Sequence, residues 1–354
     1  MQQIIRGIEQ LSKLFDRLHC LKIMLVSDAS YPFLSIKEQI NSLNIPKMVF
    51  NEFTPNPLQE QVERGSELFL SSGCDAMLAV GGGSAIDVAK CIKLVCINKV
   101  GRIPFVAIPT TAGTGSESTH NAVVYLNGVK QTVTDDRILP DVALLEPSVL
   151  DTLPIYQKKC TMMDALCQGI ESWWSVNSTD ESKTYSKMAV GLIMRHWKSY
   201  IFDNDKEAAW QIMLGANYSG RAINLAQTTA AHAMSYKITS IYGLPHGHAV
   251  AVCLPEIWQY MLEHLNQSLA PRQSQYLLKI FEDIANSMGN DTPEKAIQYF
   301  REIMDQLELT NPVANNKDTD ITILTQSVNP IRLKNNPIPL ESEVLHSLYQ
   351  IIIK

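Results

Sequence analysis

The sequence has no C-x-x-C pair and no apolar run near the ~20 residues that a bilayer-spanning helix needs. It also has no excess of positive charge. Thirty lysines and arginines against thirty-six acids leave a formal charge of -6. That balance argues against a chain built to grip nucleic-acid phosphates. The seven cysteines (Cys20, Cys74, Cys91, Cys96, Cys160, Cys167 and Cys253) are odd in number, scattered, and mostly set among apolar neighbours. They suit reduced, buried thiols rather than a disulfide framework. The N-terminus lacks the long apolar segment of a signal peptide. A soluble, cytoplasmic protein with no membrane or nucleic-acid partner is therefore expected. Apolar residues make up 45% and charged ones 19% of the 354 residues, a globular composition rather than a disordered or fibrous one. At about 150 residues per domain, the length suggests two domains.

What is present divides the chain near residue 153. Before that point, short apolar runs alternate with helix-like segments: 23–26, 47–50, 76–80 and 105–108 read as strands, and 36–43, 59–71 and the segment after Ser84 as helices. Such alternation predicts an α/β, Rossmann-like parallel sheet over 1–153. Beyond it, long helical patterns dominate, over 157–176, 181–201, 207–236, 248–266, 271–288 and 293–307. An all-helical region over 154–354 follows. The segment 311–320 reads as a loop.

Two polar, glycine-bearing segments follow strands. Gly81, Gly82, Gly83 and Ser84 lie between a strand and a helix start, where a backbone without Cβ atoms can approach a phosphate and the helix N-terminus can face it. Ser84 reads as the helix cap, with Asp87 completing a capping box. By itself the segment is a moderate signal, with a tight turn and a capping serine as the lesser alternative, and neither G-x-G-x-x-G nor a phosphate loop ending in Gly-Lys-Ser/Thr is present. The second segment, 109–117, carries Thr110, Thr111, Thr114 and Ser116 and could wrap a ribose or diphosphate. Asp28, after the first strand, is placed either to bind a ribose diol or to act as a loop acid. In the helical part, Asp164 and Gln168 are four apart and share a helix face. His232 and His246 follow. A carboxylate, an amide oxygen and two imidazoles make a divalent-metal ligand set; two buried histidines are the plainer alternative.

The order of these pieces resembles the iron-containing (group III) alcohol dehydrogenase family, which shares its fold with dehydroquinate synthase. The matching segments are 81–90 (GGGSAIDVAK), 109–117 (PTTAGTGSE), 140–147 (PDVALLEP), 164–171, 232–234 (HAM) and 245–247 (PHG). The resemblance implies a dinucleotide-binding α/β domain and a helical metal domain, with a homodimer expected. It assigns Gly81 to Ser84 to the cofactor diphosphate, and Thr110, Thr111, Thr114 and Ser116 to nucleotide contacts. Lys130 falls on the nicotinamide ribose. Asp164, His232 and His246 match three metal ligands, for Fe²⁺ first and Zn²⁺ second. The fourth family ligand, a histidine, is Gln168 here, which donates more weakly. A further histidine, thought to relay protons, is replaced by Tyr236, a proton donor only if its pKa is lowered. The expected cofactor is NAD(P)H, with Asp28 favouring NADH.

The segments 166–179, 228–240 and 327–337 resemble the phosphonoacetaldehyde reductase branch, which reduces that aldehyde to 2-hydroxyethylphosphonate in phosphonate biosynthesis. A dianionic substrate needs cations beside the metal. Arg221, eleven residues before His232, would lie three helical turns back on nearly the same face. Lys237, Asn121, His120, Thr228, Thr229 and Ser235 are further donors. Arg221 and Lys237 fit solvated or structural ion-pair roles equally well. The alternatives are a general iron-type alcohol dehydrogenase on short aldehydes, a dehydroquinate synthase-like lyase, and a non-catalytic nucleotide-binding protein.

Overall fold

Six strands pair in parallel to build the first half of the chain, and each runs into a polar loop at its C-terminal end. The computed structural model describes residues 2–126, 129–269 and 273–354. The strands are β1 (Gln3–Arg6), β2 (Ile23–Ser27), β3 (Lys47–Phe50), β4 (Ala76–Gly81), β5 (Phe105–Pro109), β6 (Asn121–Leu126), β7 (Val129–Thr134) and β8 (Val142–Leu145). The main sheet has the order β1-β8-β5-β4-β2-β3, and β6 and β7 form a separate antiparallel pair. The helices are α1 (Leu11–Arg17), α2 (Lys37–Asn41), α3 (Gln59–Ser72), α4 (Gly83–Val100), α5 (Ile155–Trp174), α6 (Asp180–Phe202), α7 (Lys206–Ala226), α8 (Ala230–Tyr242), α9 (His246–Glu263), α10 (Gln273–Ser287), α11 (Pro293–Gln306), α12 (Lys317–Ser327), α13 (Pro330–Leu333) and α14 (Ser342–Ile352). The first two positions of the expected helix 271–288 lie outside the described residues. No helix among the described residues is long and apolar enough to cross a membrane.

Strand side chains alternate between two cores, as a pleat of period two requires. Met24, Val26, Met77 and Ala79 pack with Val62, Phe69, Ile86 and Ile92 of α3 and α4. Ile23, Leu25, Leu78 and Val80 face the other way. There they join a core that continues through Met162, Met163, Leu166 and Ile170 of α5 into the helical half. Burial on both faces explains why these strands read as continuous apolar runs rather than alternating ones.

Four expectations are corrected. The expected helix 207–236 is two helices, because Gln227 takes a left-handed φ of 61° and ends α7. Ser84 is not the cap of α4. Gly82 takes that position in extended conformation, and the Ser84 hydroxyl donates to the Pro55 carbonyl. Asp87 completes no capping box and instead accepts from Ser116 Oγ and Val123 N. The segment 311–320 is not all loop, since Asn316 caps α12, which starts at Lys317.

Candidate active site

Adjacent strands β2, β4 and β5 end side by side, and their C-terminal loops bring the first group of residues together. In open α/β sheets this edge is where ligands bind. Gly82 N donates to Asp28 Oδ2 at 2.9 Å, and Ser30 N donates to Asp28 Oδ1 at 2.9 Å. A Cβ at Gly81 would collide with that carboxylate, so glycine is required there by close approach. Thr110 N donates to Gly81 O at 3.0 Å, and Thr111 and Thr114 flank Gly82 and Gly83. The glycine turn, Asp28 and the three threonines thus form one surface at the start of α4, with backbone N–H groups available to an anion.

Ser116 is not part of that surface. It is buried, donates to Asp87 and accepts from Lys90 Nζ at 3.1 Å. Lys90 is fully buried, and its ammonium also reaches Ser116 O, Thr119 Oγ1 at 3.0 Å and Asn121 O at 2.7 Å. Burial pushes its pKa down to about 8, against the pull of Asp87 and Glu117. Lys90 was assigned no role from sequence, although a lysine in the apolar run 88–92 is itself a signal.

The second group is built from three helices. Asp164 and Gln168 stand on one face of α5, His232 at the start of α8 and His246 at the start of α9. Nitrogen and oxygen donor atoms of Asp164, His232 and His246 all lie within 4.8 Å of one another. His232 Nε2 and Asp164 Oδ1 are 3.3 Å apart, without hydrogen-bond geometry. The break at Gln227 makes the arrangement. It exposes a fresh helix N-terminus at which Glu171 Oε1 accepts from Thr229 N at 3.1 Å, Thr229 Oγ1 at 2.7 Å and Ala231 N at 2.9 Å. Glu171 Oε2 accepts from His232 Nδ1. A Cβ at Gly247 would overlap the Cys160 carbonyl oxygen, so glycine lets α9 close onto α5 and set His246 against Asp164. Glu171, three residues after Gln168 on the same face, was not singled out from sequence.

Asp164 Oδ1, Gln168 Oε1 and His232 Nε2 are buried and make no hydrogen bond. Each buried polar atom left unmatched costs about 1–3 kcal/mol, and three on neighbouring side chains are what a cation would satisfy. The donor set of carboxylate, amide oxygen and imidazoles fits a divalent metal. The electrostatics agree. Burial works to raise the Asp164 carboxyl, yet His232 and His246 beside it hold it below the usual carboxylate range. His232 is pushed up to about 9, because Glu171 and Asp164 outweigh its burial. His246 is pushed down to about 4, mainly by burial. One imidazole therefore carries a proton that a cation would displace, and the other is already a neutral donor.

Tyr236 lies parallel to His246, with ring centroids 5.7 Å apart and 2° between planes. Burial raises its pKa, with Arg332 pulling the other way. A raised phenol stays protonated, which does not meet the lowered pKa that a proton-donor role for Tyr236 requires. Lys130 Nζ sits 4.0 Å from the centre of the same ring.

Among the described residues, the substrate cations expected from sequence make no hydrogen bond or ion pair with this cluster. Arg221 donates to Asn217 at 3.1 Å, and its guanidinium lies 5.7 Å over the Tyr185 ring of α6. The three-turn spacing to His232 fails because the two residues are on different helices. Lys237 makes no side-chain hydrogen bond or ion pair among the described residues. It is one step past Tyr236, about 100° round α8. Asn121 Oδ1 accepts from Thr134, tying β6 to β7, and His120 pairs with Asp136 at 2.7 Å. Thr229 is held by Glu171, and the Ser235 hydroxyl donates to His232 O.

Comparisons with known proteins fit this geometry. The pattern of iron-containing alcohol dehydrogenase matches residues 2–147. That of the Fe-containing alcohol dehydrogenase family, C-terminal, matches 159–353. The chain is 30% identical to an NAD-dependent methanol dehydrogenase of Bacillus methanolicus over 72% of each chain. It is 32% identical to a phosphonoacetaldehyde reductase of Streptomyces viridochromogenes, over 77% of this chain and 75% of the relative. Its fold matches that of a sulfoacetaldehyde reductase from Bifidobacterium kashiwanohense solved with NAD⁺. The TM-score there is 0.87 at 23% identity, covering 99% of this chain and 96% of the other.

Proposed function

The chain belongs to the iron-containing alcohol dehydrogenase family, and on that premise we propose that it reduces phosphonoacetaldehyde to 2-hydroxyethylphosphonate with NAD(P)H. The enzyme is an oxidoreductase of that family, whose members use NAD(P) and a divalent metal. The observation that carries the active-site reading is the trio of unmatched buried atoms on Asp164, Gln168 and His232, in the half of the chain that packs against the sheet edge bearing the glycine turn.

In this reading Asp164, Gln168, His232 and His246 hold the metal, with Fe²⁺ preferred. Gly81 to Ser84, Thr110, Thr111 and Thr114 receive the cofactor, and Lys130 faces its nicotinamide end. Bound there, the metal supplies Lewis-acid polarisation of the aldehyde oxygen and the dihydronicotinamide supplies the hydride. The chain's own residues do the rest. Glu171 fixes the orientation of His232, leaving Nε2 toward Asp164. Tyr236 stays protonated beside His246 and offers an O–H to oxygen charge that develops there. Asp28, already accepting from Gly82 and Ser30, presents a negative charge that repels a 2′-phosphate and favours NADH.

The phosphonate substrate is supported by the Streptomyces relative and by the segments 166–179, 228–240 and 327–337. The methanol dehydrogenase relative supports the broader reading, a short-chain alcohol dehydrogenase. We also propose that the domains divide near residue 153, before Pro154 caps α5, and that the protein works as a cytoplasmic homodimer. The deciding experiment measures kcat/KM for phosphonoacetaldehyde and butanal with NADH and with NADPH, after loading with Fe²⁺ or Zn²⁺. Preference for butanal would remove the phosphonate reading and leave the dehydrogenase.

A further inference from the structure

Two cations meet at Tyr236. Lys130 arrives from β7, with its ammonium 4.0 Å from the ring centre. Arg332 arrives from α13, with its guanidinium carbon 5.7 Å from the same point. Among the described residues, neither has a carboxylate oxygen within 4.0 Å. The one side-chain hydrogen bond of Arg332 there goes from Nη2 to Thr132 Oγ1 at 3.0 Å, so most of its five donors stay open. Juxtaposed like charges repel; desolvation and Arg332 drive Lys130 down to about 8 against the pull of Asp87 and Asp164, although the residue keeps access to solvent. A pair of this kind persists where a negative group occupies the space between.

Position decides which anion. Tyr236 is stacked on His246, and His246 stands with Asp164 and His232. The cations are therefore one aromatic ring away from the metal-capable cluster. The glycine turn at the start of α4 already offers its own N–H groups to a cofactor diphosphate. An aldehyde whose carbonyl lies at the cluster would place a charged group one methylene away beside Tyr236.

We propose that Arg332, together with Lys130, forms the subsite for the anionic end of the aldehyde, and that Arg332 rather than Arg221 or Lys237 sets the preference for charged over neutral substrates. This rests on the reductase reading for its substrate, but the subsite itself is measurable without turnover. The wild-type protein, Arg332→Met and Arg332→Lys, all metal-loaded, are titrated with methylphosphonate by calorimetry. They are then assayed with phosphonoacetaldehyde and with butanal at saturating NADH. Methylphosphonate is expected to bind the wild type and to lose roughly 10- to 100-fold in affinity in Arg332→Met, as for a charge-assisted hydrogen bond. Arg332→Lys should recover part of the loss. The same factor should appear in KM for phosphonoacetaldehyde, with kcat, butanal turnover and the KM for NADH within threefold of wild type. Retained butanal turnover also shows that the variant folds. Equal losses on both aldehydes, a raised KM for NADH alone, or no methylphosphonate binding by the wild type each overturn the subsite. If phosphonoacetaldehyde is not reduced but methylphosphonate binding still depends on Arg332, the subsite stands and only the substrate named above fails.

Discussion

Glu171 Oε2 accepts from His232 Nδ1, while its other oxygen collects N–H groups from Thr229 and Ala231 at the start of α8. One carboxylate thus caps a helix and orients a metal-capable imidazole. Such partners typically contribute 10- to 100-fold in metal affinity. Glu171→Gln, which removes the charge but keeps the shape, should weaken Zn²⁺ binding by about that factor in a chelator-competition titration. Unchanged affinity would show that His232 needs no such support.

Gln168 contributes an unmatched buried oxygen where a stronger donor would be an imidazole. Gln168→His should therefore tighten Zn²⁺ binding by on the order of tenfold or more. Gln168→Leu should weaken it. If both variants bind metal as the wild type does, the position is not a ligand.

Lys130 gives a pH dependence with a definite sign. Its pKa is depressed to about 8, so its charge is present below that pH and lost as pH rises through it. The facing groups are Arg332 on α13, which pushes it further down, and Asp87 and Asp164 on α4 and α5, which pull it up. A profile of kcat/KM for phosphonoacetaldehyde should fall above pH ~8, and more steeply than that for butanal, which shares the cofactor contact of Lys130 but has no anionic end. Arg332→Met removes a like charge and should move the limb to higher pH. A limb that stays in place would separate the two cations.

Lys90 is the buried cation that ties α4 to residues 116–121. Burial raises both Asp87 and Glu117, and Lys90 works against that rise in each. Lys90→Met should cost roughly 3–5 kcal/mol in urea unfolding, because it leaves buried acids without their cation. A loss below about 1 kcal/mol would mean that the network is replaceable.

Much of the site was legible where it depends on local pattern. Asp164 and Gln168 share a face because both lie in one helix, and the glycine turn follows β4 because an apolar run ending in glycines has few other uses. Arg221 misled for the same reason. Its spacing to His232 assumed one helix over 207–236, and the left-handed Gln227 resets the phase between them. Glu171 was invisible because its partners, the N–H groups of α8, exist only once that helix is broken.

The residues by themselves determined the strand and helix succession, the glycine turn and the chemical identity of the metal-capable donors, since periodicity and side-chain type are local properties. Which cations meet the site was decided by tertiary structure. Residues 130, 236 and 332 come together from a strand, a long helix and a single-turn helix. Their juxtaposition depends on how those elements pack, and no spacing along the chain encodes it.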